Sequence, residues 1–159
     1  MKTLVVYYSL SGRTELVARA LSGELKTDLV KVEEPKKHSL IYYYVVGSFA
    51  ALKGKLCEIK PVDFSLSGYE RIFIGSPVWG SSPVPAINAF IAKADLAGKT
   101  VTPFVTMGGK NGEGAIKKMS DKVIAKGGKI AGMFQLQTGR VKSDIIVTKA
   151  KEIAKQFEK

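Results

Sequence analysis

The feature that most constrains this chain is an alternation. Short apolar, β-branched runs at 3–8, 28–33, 71–75, 100–106 and 129–137 take turns with stretches whose apolar residues recur at three- and four-residue steps, the signatures of strands and amphipathic helices. Strands joined through helices of this length must run parallel. Right-handed crossovers then place helices on both faces of one sheet. The expected fold is α/β: a doubly wound, five-stranded parallel sheet in a single domain. At 159 residues such a domain buries about 70% of the surface its unfolded chain exposes, so it needs no staples.

Between the first two strands, Leu16, Val17, Ala20, Leu21 and Leu25 line one face of a helix over 13–26. The stretch 39–53 is harder to read. Leu40 to Val46 is rich in strand formers, yet Tyr42, Val45, Phe49 and Leu52 keep helical spacing, and the spacing predicts a helix. Pro61, Gly68 and scattered serines make 54–69 a long connection. After the third strand a helix is expected to start with Ser82 as N-cap and Pro83 in its first turn, burying Ile87, Phe90, Ile91 and Ala94 before Gly98 stops it. Ile116, Met119 and Val123 mark the next helix, closed by Gly127 and Gly128, and Ile146, Ala150, Ile153 and Phe157 mark the last, over 143–157.

In a doubly wound sheet, ligands bind beyond the carboxyl ends of the strands, which directs attention to the loops 9–14, 76–82 and 107–114. The first, Ser9-Leu10-Ser11-Gly12-Arg13-Thr14, joins a strand to a helix start. Backbone N–H groups and the positive end of the helix dipole converge there, and Ser9, Ser11 and Thr14 add hydroxyl donors. Such a loop can hold a phosphate, and an ordinary N-cap is the competing reading. No Gly-x4-Gly-Lys-Ser/Thr window exists, and Gly112 and Gly114 are followed by Lys117 where a dinucleotide fingerprint requires a third glycine. The second loop carries Pro77, Val78, Trp79 and Gly80; its indole suits stacking on a planar heterocycle, or anchoring a core. The third carries Gly108, Gly109, Gly112 and Gly114, which let backbone approach a ring edge closely.

Other chemistries are removed by counting. Cys57 is the only cysteine and His38 the only histidine, which excludes Cys-x-x-Cys redox sites, disulfides within the chain and most metal sites, and disfavours hydrolytic triads. Tyr7-Tyr8-Ser9 at the end of the first strand offers no aspartate cluster for a phospho-acceptor receiver. No apolar run reaches the ~20 residues of a membrane span, and the chain opens on strand residues without a secretory leader, so a cytoplasmic protein with no membrane role is expected. The net charge of +11 raises nucleic acid as a partner, but the lysines are spread along the chain rather than clustered, which favours a solvated basic surface.

Ser9-x-Ser11-Gly12-x-Thr14 resembles the phosphate loop of the flavodoxin family, Gly75-Ser-Pro-Val-Trp-Gly80 looks like that family's loop over the flavin ring, and Thr106-Met-Gly-Gly109 is similar to its third flavin loop. The resemblance covers essentially the whole chain and implies strand order 2-1-3-4-5, under which the three loops meet. It also implies FMN. Ser9, Ser11, Gly12, Arg13 and Thr14 would take the phosphate, while Pro77, Val78, Trp79, Gly80, Met107, Gly108 and Gly109 would frame the isoalloxazine. The uninterrupted last strand, 129–137, is like the short-chain members. Two departures stand out: the third loop lacks the aromatic that many members stack on the ring, and the chain is basic where typical members are acidic.

The function expected from this resemblance is that of an electron-transfer flavoprotein, which needs no side-chain acid, base or nucleophile. Its redox partner proteins would be acidic, and the carrier would be a monomer or a homodimer. The alternative is an NAD(P)H-dependent flavin or quinone reductase of the same architecture, with the 39–68 segment and its three tyrosines as a substrate wall or a dimer contact.

Overall fold

A computed structural model of the protein describes residues 1–158. Its sheet contains β1 (Thr3–Tyr7), β2 (Asp28–Lys31), β3 (Arg71–Trp79), β4 (Ser82–Pro83), β5 (Thr100–Met107), β6 (Lys129–Ile130) and β7 (Phe134–Gln137). The main order is β2-β1-β3-β5-β6, and those neighbours all pair in parallel. With β6 and β7 counted as two halves of one strand, this is the order 2-1-3-4-5.

The helices are α1 (Arg13–Leu25), α2 (40–52), α3 (Pro85–Lys93), α4 (Glu113–Ala125) and α5 (Ser143–Lys155). Alternation along β1 sends Leu4, Val6 and Tyr8 to one face of the sheet and Val5 and Tyr7 to the other, the period-2 geometry of a strand buried on both sides. The first face packs under Ile87, Phe90 and Ile91 of α3 and Ile116, Met119 and Val123 of α4. The second packs under Val17 and Leu21 of α1 and Ile146 and Ala150 of α5. Phe104 lies across Gly75, where a Cβ would collide with its ring, and stacks on Phe134 with centroids 5.0 Å apart.

Three local expectations are corrected. The third strand does not end at Gly75: it runs on to Trp79 and reverses through Gly80 and Ser81, both at positive φ (53° and 56°), to pair antiparallel with Ser82–Pro83. Two adjacent left-handed residues are the geometry of a tight hairpin turn. Ser82 is therefore a strand residue whose hydroxyl donates to the Gly80 carbonyl, and α3 begins at Pro85 after Val84. The N–H of Val84 instead donates to the hydroxyl of Ser76, eight residues back.

The last strand is also interrupted. Thr100 and Val101 pair with Lys129 and Ile130, but Phe104 pairs with Phe134, so one extra residue is absorbed at 131–133, the accounting of a bulge. Gly132 sits there at φ 156° with the Phe157 ring against it.

The third correction concerns α2. The helix forms, with a π-helical turn at Tyr43–Gly47 between α-helical Leu40–Tyr42 and Ser48–Leu52. Tyr43, Gly47 and Ala51 face inward, while the stripe Tyr42, Val45, Phe49 and Leu52 is exposed.

Candidate functional site

A cleft of about 420 Å³ opens at the carboxyl ends of β1, β3 and β5. Ser11, Arg13 and Thr14 from the first loop, Pro77, Val78, Trp79 and Gly80 from the hairpin, and Met107 and Gly108 from the third loop line it. Of the residues the sequence nominated, Ser9, Gly12 and Gly109 do not line it. Ser9 and Gly12 instead shape the loop: the Ser9 hydroxyl accepts the Gly12 N–H at 3.0 Å, and Gly12 takes φ 90°. Gly12 is the N-cap of α1 and supplies no side-chain cap, unlike the Ser, Thr, Asp and Asn side chains of an ordinary N-cap. The amides of the first turn are left without a side-chain cap, and Arg13 and Thr14 of that turn line the cleft.

Thr14 is buried, and its hydroxyl shares a 2.8 Å hydrogen bond with that of Thr106. The pair ties the first turn of α1 to the end of β5, and whichever hydroxyl accepts in it keeps its own O–H free to donate. The Arg13 guanidinium donates to the Val141 carbonyl at 2.7 Å, which spends one of its five N–H groups and fixes the fork beside the loop. Arg13 is the only charged residue on the cleft wall among the described residues. Among the described residues no carboxylate faces the cleft, so its electrostatics favour an anion; its titratable side chains apart from Arg13 are Tyr43 and Tyr44.

Sequence reasoning missed one part of the wall, a fourth loop: Thr138 and Gly139 line the cleft, and the N–H groups of both donate to the Met107 carbonyl. A Cβ at Gly139 would collide with the backbone of Gly108, so this is a close approach that requires glycine. The strand-end position of Thr138-Gly139 was the available signal. The 39–68 segment, expected as a wall under the reductase alternative, contributes Tyr43, Tyr44 and Ser48 of α2.

Trp79 is half-buried and stands between these groups. Tyr8 meets it edge-on at 5.9 Å, Tyr43 lies tilted at 5.6 Å, and a Cβ at Gly47 would press on its ring at 3.0 Å. Behind it, the hydroxyls of Tyr8 and Tyr43 donate to the two carboxylate oxygens of Glu34 at 3.2 and 3.3 Å. Burial first, then the Glu34 charge, push the Tyr8 hydroxyl far above its ordinary range, so it stays a neutral donor. One carboxylate thereby clamps α2 and the indole against the end of β1.

This arrangement, three strand-end loops and an uncapped helix start around one cleft at the point where strand order reverses, agrees with the comparison to protein families. Residues 2–142 match the flavodoxin family model. The chain belongs to the flavodoxin family. Comparison with curated proteins finds no match. Among solved structures, a protein from Bacteroides uniformis ATCC 8492 superposes with a TM-score of 0.77 at 25% identity, over 94% of this chain and 97% of that one. A flavoprotein in complex with FMN from Lactobacillus acidophilus NCFM gives a TM-score of 0.71 at 25% identity, over 84% and 92%. Oxidised flavodoxin 2 from Bacillus cereus gives 0.66 at 20% identity, over 99% and 97%, and shows the shared fold. No helix among the described residues is long and apolar enough to cross a membrane.

Proposed function

We propose that the cleft binds FMN and that the protein is an electron carrier. The observation that supports this most is the pairing of an anion-directed helix start with an aromatic wall inside one family-typical cleft. The first-turn amides of α1, the Ser11 and Thr14 hydroxyls and Arg13 would take the phosphate. Pro77, Val78, Trp79 and Gly80 would cover one side of the ring, with Met107 and Gly108 along its edge. The volume falls within the ~300–1,000 Å³ of small-molecule sites. Bound FMN would supply one- or two-electron redox chemistry, and the chain's own residues would bind, orient and shield it.

Arg13 would hold positive charge beside the phosphate, and the half-buried indole would exclude water from one ring face. The reading as carrier is put ahead of that as NAD(P)H-dependent reductase because the family match is to the flavodoxins; neither reading requires a side-chain acid or base. The test is kinetic. The purified holoprotein should be yellow and should oxidise NAD(P)H with quinone acceptors only when a separate reductase is added. Turnover of the protein alone at about 1 per second or faster, the ordinary enzymatic range, would assign it to the reductases.

A further inference from the structure

Nine of the thirteen exposed large hydrophobic residues of the described chain fall between positions 40 and 56, so they form a patch rather than the single scattered residues of an ordinary surface. Ile41 is 76% exposed, Tyr44 75%, Val45 66% and Leu40 62%, and Phe49 and Leu52 are each more than half exposed. From Ser39 to Leu52 no residue carries a charge. At both ends the sequence turns basic, with Lys36 and Lys37 before the helix and Lys53 and Lys55 after it, all exposed. There is no Asp or Glu between Glu34 and Glu58.

We propose that this outer face of α2 is a docking surface for an anionic lipid bilayer. A second copy of the chain is the first competitor, but a two-fold interface is self-complementary and sets the same patch against itself. It would bring the four lysines of each copy to one rim without an acid to meet them, between two molecules that each carry +11. An acidic protein is the second competitor. Protein interfaces are enriched in Tyr, Trp, Phe, Met and Arg and depleted of lysine; this face shares the Tyr and Phe, but 36–55 holds no Trp, Met or Arg and takes its rim charge from lysine alone. Aliphatic and aromatic side chains on one helix face, with lysines flanking it, are the composition of a helix that lies in the headgroup layer about 5–10 Å deep. Each lysine near an anionic leaflet adds attraction.

The surface is continuous with the cleft. Tyr44 belongs to both, so docking sets the mouth of the cleft at the membrane interface. The inference does not depend on which flavin reaction the cleft supports.

The experiment is cosedimentation of the holoprotein with vesicles of phosphatidylcholine alone and of phosphatidylcholine mixed with phosphatidylglycerol, at low and high salt. The protein should sediment with the mixed vesicles and remain in solution with the neutral ones. Ile41→Glu combined with Val45→Glu should abolish sedimentation while flavin absorbance and circular dichroism stay unchanged. Lys→Gln at 36, 37, 53 or 55 should lower partitioning by about fivefold each. The proposal is overturned if the mixed vesicles leave the protein in solution. It is equally overturned if the double glutamate variant binds as well as the parent, which would show bulk adsorption of a cationic protein. A dimer in analytical ultracentrifugation that the same double variant dissociates would assign the face to a second copy instead.

Discussion

Two helix starts in this protein are written in similar residues and built to opposite ends. At α2 the Ser39 side chain accepts the Tyr42 N–H at 3.2 Å, so the end closes on itself, as most helix starts do. At α1 the serine three residues before the cap spends its hydroxyl on the Gly12 N–H, and the cap itself is a glycine at φ 90° with no side chain. No side chain caps the donors of the following turn. The difference shows that a Ser-rich helix start is not a site by composition. The proposed site is the one whose cap residue withholds its side chain and whose loop is held by other means.

The most severe test of this contrast uses ligand chemistry. If the α1 end is the phosphate site, riboflavin should bind at least about a hundredfold less tightly than FMN, because two or more hydrogen bonds to a charged group, each worth about 1.5–3 kcal/mol, are absent. Equal affinities by fluorescence titration would mean that the amides of α1 face a ligand group other than phosphate.

Next comes Thr14→Ala. It removes a donor from the site and leaves the buried Thr106 hydroxyl without the partner it has at 2.8 Å. FMN affinity should fall by roughly 1–3 kcal/mol, and thermal unfolding should show a parallel loss of stability. Thr14→Ser, which keeps the hydroxyl, should recover most of the affinity. A loss of stability with unchanged affinity would make the threonine pair a structural tie only.

The matching change at the closed end is smaller. Ser39→Ala should lower stability by about 1 kcal/mol, the usual value of an N-cap, and leave FMN affinity where it was. A loss of affinity there would mean that α2 positions the cleft wall through its own first turn, and the contrast between the two ends would fail.

Much of this was legible beforehand because it depends on periodicity. The alternation gave the parallel sheet, and the buried Ile87, Phe90 and Ile91 lie where the spacing put them. What the residues could not announce was nonlocal. The Gly80-Ser81 pair reads as loop until β3 continues far enough to fold back on it. The extra residue at 131–133 shows only as a shift of pairing against β5. Gly139 is required because Gly108, thirty-one positions away in sequence, approaches it. The stripe Tyr42-Val45-Phe49-Leu52 has correct helical spacing but faces solvent. Period alone cannot say which of two apolar faces the protein covers, and here the small residues Gly47 and Ala51 fit against Trp79 and the sheet.

The smallest expected effect concerns charge. The cleft wall carries Arg13 and no acid, Lys110 and Arg140 are exposed on the loops beside it, and the chain is +11 overall. Lys117 is partly offset by Asp121 at 2.8 Å. Reduction adds negative charge to a bound flavin, so this field should favour the reduced form and hold the potentials less negative than in an acidic family member. A single cation 10–15 Å away in water contributes about 0.3–0.4 kcal/mol. Salt screens charges at that range once the Debye length falls below about 10 Å. Potentiometric titration should therefore show the potentials moving more negative with salt, by on the order of tens of millivolts, while association with an acidic redox partner slows. Potentials that do not move with salt would place their control in contacts with Trp79, Met107 and the glycine backbone, and would remove the only functional consequence the basic surface has inside the cleft.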